Sequence, residues 1–101
     1  MQTHPLEALD FSGWEIKADA GAALGALLGK CPQLKTLNLH GNKALGTAAG
    51  LEGIGKGIGS GQLSLEALDF RNCDIQADAE AALGALLGKC PQLKTVKFRK
   101  N

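Results

Sequence analysis

Four short segments of the chain begin on an apolar residue and then alternate. They read Leu6-Glu7-Ala8-Leu9-Asp10-Phe11, Leu34-Lys35-Thr36-Leu37-Asn38-Leu39, Leu65-Glu66-Ala67-Leu68-Asp69-Phe70 and Leu93-Lys94-Thr95-Val96-Lys97-Phe98, with starts 28, 31 and 28 residues apart. In each, the fourth and sixth positions are apolar and the fifth is polar, the period of a strand with one buried face. Helical patterns fill the intervals. Ala18 to Leu28 places Ala20, Ala23, Leu24, Leu27 and Leu28 on one side, with Asp19 near its start and Gly29, Lys30 and Pro32 as stop signals; Ala77 to Leu87 repeats this. The middle interval keeps a stripe of Leu51, Ile54 and Ile58, but Gly50, Gly53, Gly55, Gly57 and Gly59 interrupt it at up to about 1 kcal/mol each relative to Ala. The segment from Thr47 to Ser60 is therefore expected to be the most labile helix. Gly53→Ala, on the side away from Leu51 and Ile58, is expected to stabilise it.

A longer period contains the shorter one. Leu6 to Asn42 and Leu65 to Asn101 align without a gap at an offset of 59 and agree at 26 of 37 positions. A fixed period means that neighbouring units bury a core by stacking, and such chains usually act by surface recognition. Strand and helix in strict alternation, with short connections, imply one parallel sheet with helices on a single side.

The segments resemble the leucine-rich-repeat pattern L-x-x-L-x-L-x-x-N/C-x-L. Leu34, Leu37, Leu39 and Asn42 match it, as do Leu65, Leu68, Phe70, Cys73 and Ile75, and, with Trp14 at the Asn/Cys place, Leu6, Leu9, Phe11 and Ile16. The long unit with a full helix is similar to the ribonuclease-inhibitor subclass, and Cys-Pro-Gln-Leu before a strand is also similar to cysteine-containing repeats of F-box proteins. Two departures stand out: Trp14 breaks the Asn/Cys rule, and Lys43-Ala44-Leu45 carries one extra residue before its Leu. The resemblance implies an α/β leucine-rich-repeat solenoid, a single domain over 1–101. Its four parallel strands would line the concave side and about three helices the convex side. It also implies that Asn42 and Cys73 bond to backbone in the turn after each strand, and that a protein partner is bound on the concave sheet.

Composition narrows the function classes. A net charge of +1 gives no bulk drive toward nucleic acid or membrane. No run of apolar residues approaches a membrane span, and Met1-Gln2-Thr3-His4-Pro5 lacks the features of a secretory signal, so a cytoplasmic protein is expected. Three cysteines, an odd count, fit free thiols.

Candidate chemistry is sparse. Gly50 to Gly57 nearly spells G-x-x-x-x-G-K-[ST], but the hydroxyl position is Gly57, Glu52 would place negative charge in the cradle, and the repeat register puts the stretch on a helix. Neither His4 nor His40 has a ligand at metal spacing beside it, so no metal or cofactor is expected. Trp14 reads as a packing residue at the core or rim, with an exposed contact aromatic as the other possibility.

Alternation also writes out the exposed face of the sheet. One row across the strands is Asp10, Asn38, Asp69 and Lys97, and the next is Ser12, His40, Arg71 and Arg99; a flanking row of Glu7, Lys35, Glu66 and Lys94 alternates in sign. The two central rows are the expected binding face, with Asp69, His40 and Arg71 dispensable for folding. Three readings of function stand: a non-enzymatic scaffold for a protein partner, a homo-oligomer built through the edge strands, and nucleotide binding by the Gly-rich segment. The second rests on charge, since the first strand bears Glu7 and Asp10 while the last bears Lys94, Lys97, Arg99 and Lys100.

Overall fold

The computed structural model describes residues 6–99. Four strands, β1 (Ala8–Asp10), β2 (Thr36–Asn38), β3 (Ala67–Asp69) and β4 (Thr95–Lys97), lie parallel in the order β1-β2-β3-β4. Their register is that of the repeats, with Leu9, Leu37, Leu68 and Val96 side by side. Three helices, α1 (Gly21–Gly29), α2 (Ala48–Ile58) and α3 (Glu80–Leu87), connect them, each entered through a short 3-10 turn. In the middle repeat that turn, Lys43–Gly46, absorbs the extra residue and leaves Leu45 fully buried.

The core lies between sheet and helices. Leu37 and Leu68 from the strands, with Leu39 and Phe70 just past their ends, meet Leu28, Ile54 and Leu86 from the helices, all buried. The same positions at the two ends, Leu9 and Val96, are only half-buried, because among the described residues each strand there has a neighbour on one side. The first three units turn away from their strands at the eighth repeat position, where φ is +72° at Gly13, +82° at Gly41 and +56° at Asn72. Glycine reaches this left-handed region without strain, and asparagine tolerates it better than most residues do.

Glycine has a second role between α1 and α2. A Cβ added to Gly25 would sit 2.1 Å from the Ile54 carbonyl oxygen, and one added to Gly57 would sit 2.1 Å from the Ala22 carbonyl oxygen. The two helices thus touch backbone to backbone, and the face of α1 that is buried consists of Gly21, Leu24, Gly25 and Leu28. Leu27, expected on the buried side, is 41% exposed. Between α2 and α3 there is a wider groove, lined by Leu51, Gly55, Ala82 and Leu86 among others.

These contacts revise the reading of the Gly-rich helix. Gly50, Gly53 and Gly57 each lie against the backbone of a neighbouring segment, so they are conditions of packing rather than weak points. Gly53 in particular faces α1: its added methyl would stand 3.1 Å from the Ala22 nitrogen and 3.3 Å from the Gly21 Cα. The expected gain from Gly53→Ala is therefore withdrawn by crowding. Gly55 is the position with room, since its added Cβ meets only the Lys89 side chain at 3.9 Å. Gly55→Ala should raise stability by about 0.5–1 kcal/mol through helix propensity. In a urea-unfolding series it should surpass both the parent and Gly53→Ala.

Candidate functional site

The first three strands end in the same small device. The side-chain oxygen at the fifth repeat position accepts a hydrogen bond from the backbone N–H two residues on: Ser12 N–H to Asp10 Oδ1 at 2.9 Å, His40 N–H to Asn38 Oδ1 at 2.9 Å, and Arg71 N–H to Asp69 Oδ1 at 3.0 Å. Asp and Asn favour such turns because their short side chains reach backbone donors nearby. Lys97 in β4 has no oxygen to play this part. The central polar row therefore holds the turns as well as facing outward, a double role that the alternation alone does not reveal.

Asp69 is the most constrained member. It is 9% exposed, and Arg71 folds back onto it, with Nε 3.0 Å from Oδ1 and 3.1 Å from Oδ2, and Nη2 2.7 Å from Oδ2. Burial by itself would push the Asp69 carboxyl up, but hydrogen bonds from the Arg71 side chain and backbone, with the charges of Arg71 and His40, outweigh it and hold the group below its ordinary 3.8. Asp10 is lowered as well, first by the Ser12 hydroxyl and then by the Ser12 N–H. Asp69 thus contributes to the stability of the fold as well as facing outward. Asp69→Ala should cost about 1–2 kcal/mol, since charge-assisted bonds that are partly shielded from water are lost. A group whose folded pKa is depressed stabilises above its unfolded pKa and loses that contribution as pH falls through the folded value. Unfolding curves of parent and Asp69→Ala should accordingly be well separated at neutral pH and converge below about pH 3.8.

Beside the charged row runs one that the residue-by-residue reading passed over. Ala8, Thr36, Ala67 and Thr95, at the third repeat position, project to the same side and form the floor of an open trough of about 370 Å³, bordered by Asp10, Asn38, Asp69 and Lys97. Strict alternation already carried this signal, but small residues drew no attention. The trough crosses all four strands, about 14 Å at usual strand spacing. Its border runs from acidic at Asp10 to basic at Lys97, with Arg99 beyond. In the flanking row Lys35 and Glu66 approach to 3.5 Å with both side chains well exposed, a pair that contributes little stability. Lys100 lies outside the described residues, as does His4.

Other candidates fall away from this face. Gly50 to Gly57 are inside α2, whose N–H groups are spent in the helix rather than arrayed around an anion. Asn42 is fully buried and ties two repeats together: its Nδ2 donates to the carbonyls of Phe11 and Leu39, and its Oδ1 accepts from the Ile16 N–H. The Cys73 thiol donates to the same Leu39 carbonyl, and burial pushes its pKa up. Cys31, Cys73 and Cys90 are free thiols. Trp14, at the place equivalent to Asn42 and Cys73, stands 65% exposed, edge-on to Phe11 with ring centres 4.8 Å apart. Among the described residues no three His, Cys, Asp or Glu are grouped to hold a metal ion, and no helix is long and apolar enough to cross a membrane.

Comparison with known proteins bears on the architecture. Over 75 residues, 74% of its length, the chain is 39% identical to the brassinosteroid LRR receptor kinase BRI1 of Oryza sativa subsp. japonica. The chain is similar to a leucine-rich-repeat protein. It spans only 6% of the length of that receptor kinase. No family model matches the chain, and no solved structure does. Four parallel strands with three helices fit a leucine-rich-repeat-like α/β fold, and the match supports leucine-rich repeats along the sequence.

Proposed function

We propose that the chain is a non-enzymatic leucine-rich-repeat scaffold, a solenoid segment of the ribonuclease-inhibitor type, which binds a protein partner along the trough of its sheet. The observation that carries this reading is the trough itself: a floor of Ala and Thr with a border that is acidic at the Asp10 end and basic at the Lys97 end. Small side chains let a partner's backbone come close, and the unlike ends fix its direction. Its carboxylates are engaged by turn N–H groups and by Arg71, an arrangement suited to contact rather than proton transfer. The fitting occupant is an extended segment or loop with a basic residue above Asp10 and an acidic residue above Lys97 and Arg99. A cytoplasmic setting accords with the free thiols.

Selection of peptides from a displayed random library against the immobilised chain tests this. Selected peptides should pair a basic end with an acidic end, and should lose binding to Thr36→Trp, which fills the trough from an exposed position without disturbing the core. Binders that are indifferent to Thr36→Trp and to Lys97→Glu would overturn the proposal.

A further inference from the structure

The internal duplication supplies a template for contact between two copies. β1 is the copy of β3, and β4 is the copy of β2, at the offset of 59. In the structure β2 pairs with β3, matching Thr36 with Ala67, Leu37 with Leu68 and Asn38 with Asp69. Among the described residues β1 bonds only to β2 and β4 only to β3, so each presents an unpaired strand edge. We infer that β4 of one copy pairs in parallel with β1 of a second copy, in the register that β2 uses for β3.

Charge and burial both favour this occupant. Where Lys35 meets Glu66 at the inner junction, the new one brings Lys94 to Glu7, and where Asn38 lies beside Asp69 it brings Lys97 to Asp10. The outer junction thus has opposite charges at two positions where the inner one has them at one. Phe98 is 37% exposed, whereas Leu39, its inner equivalent, is 1% exposed; Leu9 and Phe11 are half-buried, whereas Leu68 and Phe70 are fully so. Docking covers these apolar edges as the inner junction does. Pairing two β4 edges would set Lys94, Lys97 and Arg99 against their own copies, which the charges oppose.

The contact is heterologous, so it propagates instead of closing at a dimer. It also leaves the helical layer open. Inside the chain α2 fills the space between α1 and α3; at the new junction α3 and the second copy's α1 flank such a space, with Gly84 meeting no atom within 4 Å and Leu27 exposed. Association through the sheet alone is weak and salt-sensitive.

Sedimentation velocity of the 101-residue chain across a concentration series is the test. The weight-average mass should rise past twice the 10.4 kDa of one chain at low salt and return toward one chain in about 0.5 M salt, where the Debye length falls to about 4 Å. The tryptophan emission, from Trp14 alone, should shift to the blue as the mass rises, since it lies on the docking side next to Phe11. Glu7→Lys and Lys94→Glu, both at exposed positions, should each be monomeric with unchanged melting, and an equimolar mixture of the two should associate again. A parent that stays monomeric at low salt, one that stops at a dimer, or a mixture that fails to associate would each overturn the inference.

Discussion

Gly25→Ala should destabilise the protein by about 3 kcal/mol or more, while Gly84→Ala, the same substitution in the same local sequence, should stabilise it by about 0.5–1 kcal/mol. Ala22 to Leu28 and Ala81 to Leu87 are identical residue for residue, so helix propensity favours both changes equally. Their surroundings differ. A methyl on Gly25 would lie 2.1 Å from the Ile54 carbonyl oxygen and 2.9 Å from the Gly57 Cα, backbone atoms that move only if α2 moves; a methyl on Gly84 meets nothing within 4 Å. Of the few kcal/mol that hold a domain of this size together, the first change would remove a large share. At about 4–8 °C per kcal/mol the melting midpoint should fall by more than 10 °C for Gly25→Ala and rise by a few degrees for Gly84→Ala. Calorimetry of the two variants decides the matter: shifts of the same sign would mean that α1 and α2 do not touch through glycine.

Asn42→Ala should cost nearly as much, about 3 kcal/mol. The side chain is fully buried and all three of its hydrogen bonds go to backbone, to Phe11 and Leu39 carbonyls at 2.9 and 3.0 Å and from the Ile16 N–H at 2.9 Å. Alanine leaves the Ile16 N–H without that acceptor, and each buried group so orphaned costs about 1–3 kcal/mol. Cys73→Ala should be milder, near 1 kcal/mol, because a thiol is a weak donor and the Leu39 carbonyl keeps its bond from Asn42. Denaturant unfolding gives the ranking, and hydrogen exchange locates it: the Ile16 amide should lose protection in Asn42→Ala and keep it in Cys73→Ala.

Much of this architecture was legible in the residues. Alternation at Leu9/Phe11, Leu37/Leu39, Leu68/Phe70 and Val96/Phe98 placed four strands and their inward sides, because a period of two has only one solution once one face is buried. Helices at Ala18 to Leu28 and Ala77 to Leu87 followed from their stop signals, although the first turn of each proved to be 3-10. The outward rows were legible for the same reason as the inward ones. Their internal bonds were not, since whether an Asp faces a ligand or its own turn depends on the path of the backbone after the strand.

By itself the sequence determined the repeat, the parallel order of strands and helices, and the charge difference between the two edges, all of which are periodic properties that survive without knowing any distance. Only the tertiary structure decided which of two identical segments is packed. Leu27 is exposed while its copy Leu86 is buried, and Gly25 touches backbone while its copy Gly84 touches nothing, because α2 lies on opposite sides of α1 and α3. A local pattern states what a segment can bury; the neighbour that arrives states what it does bury.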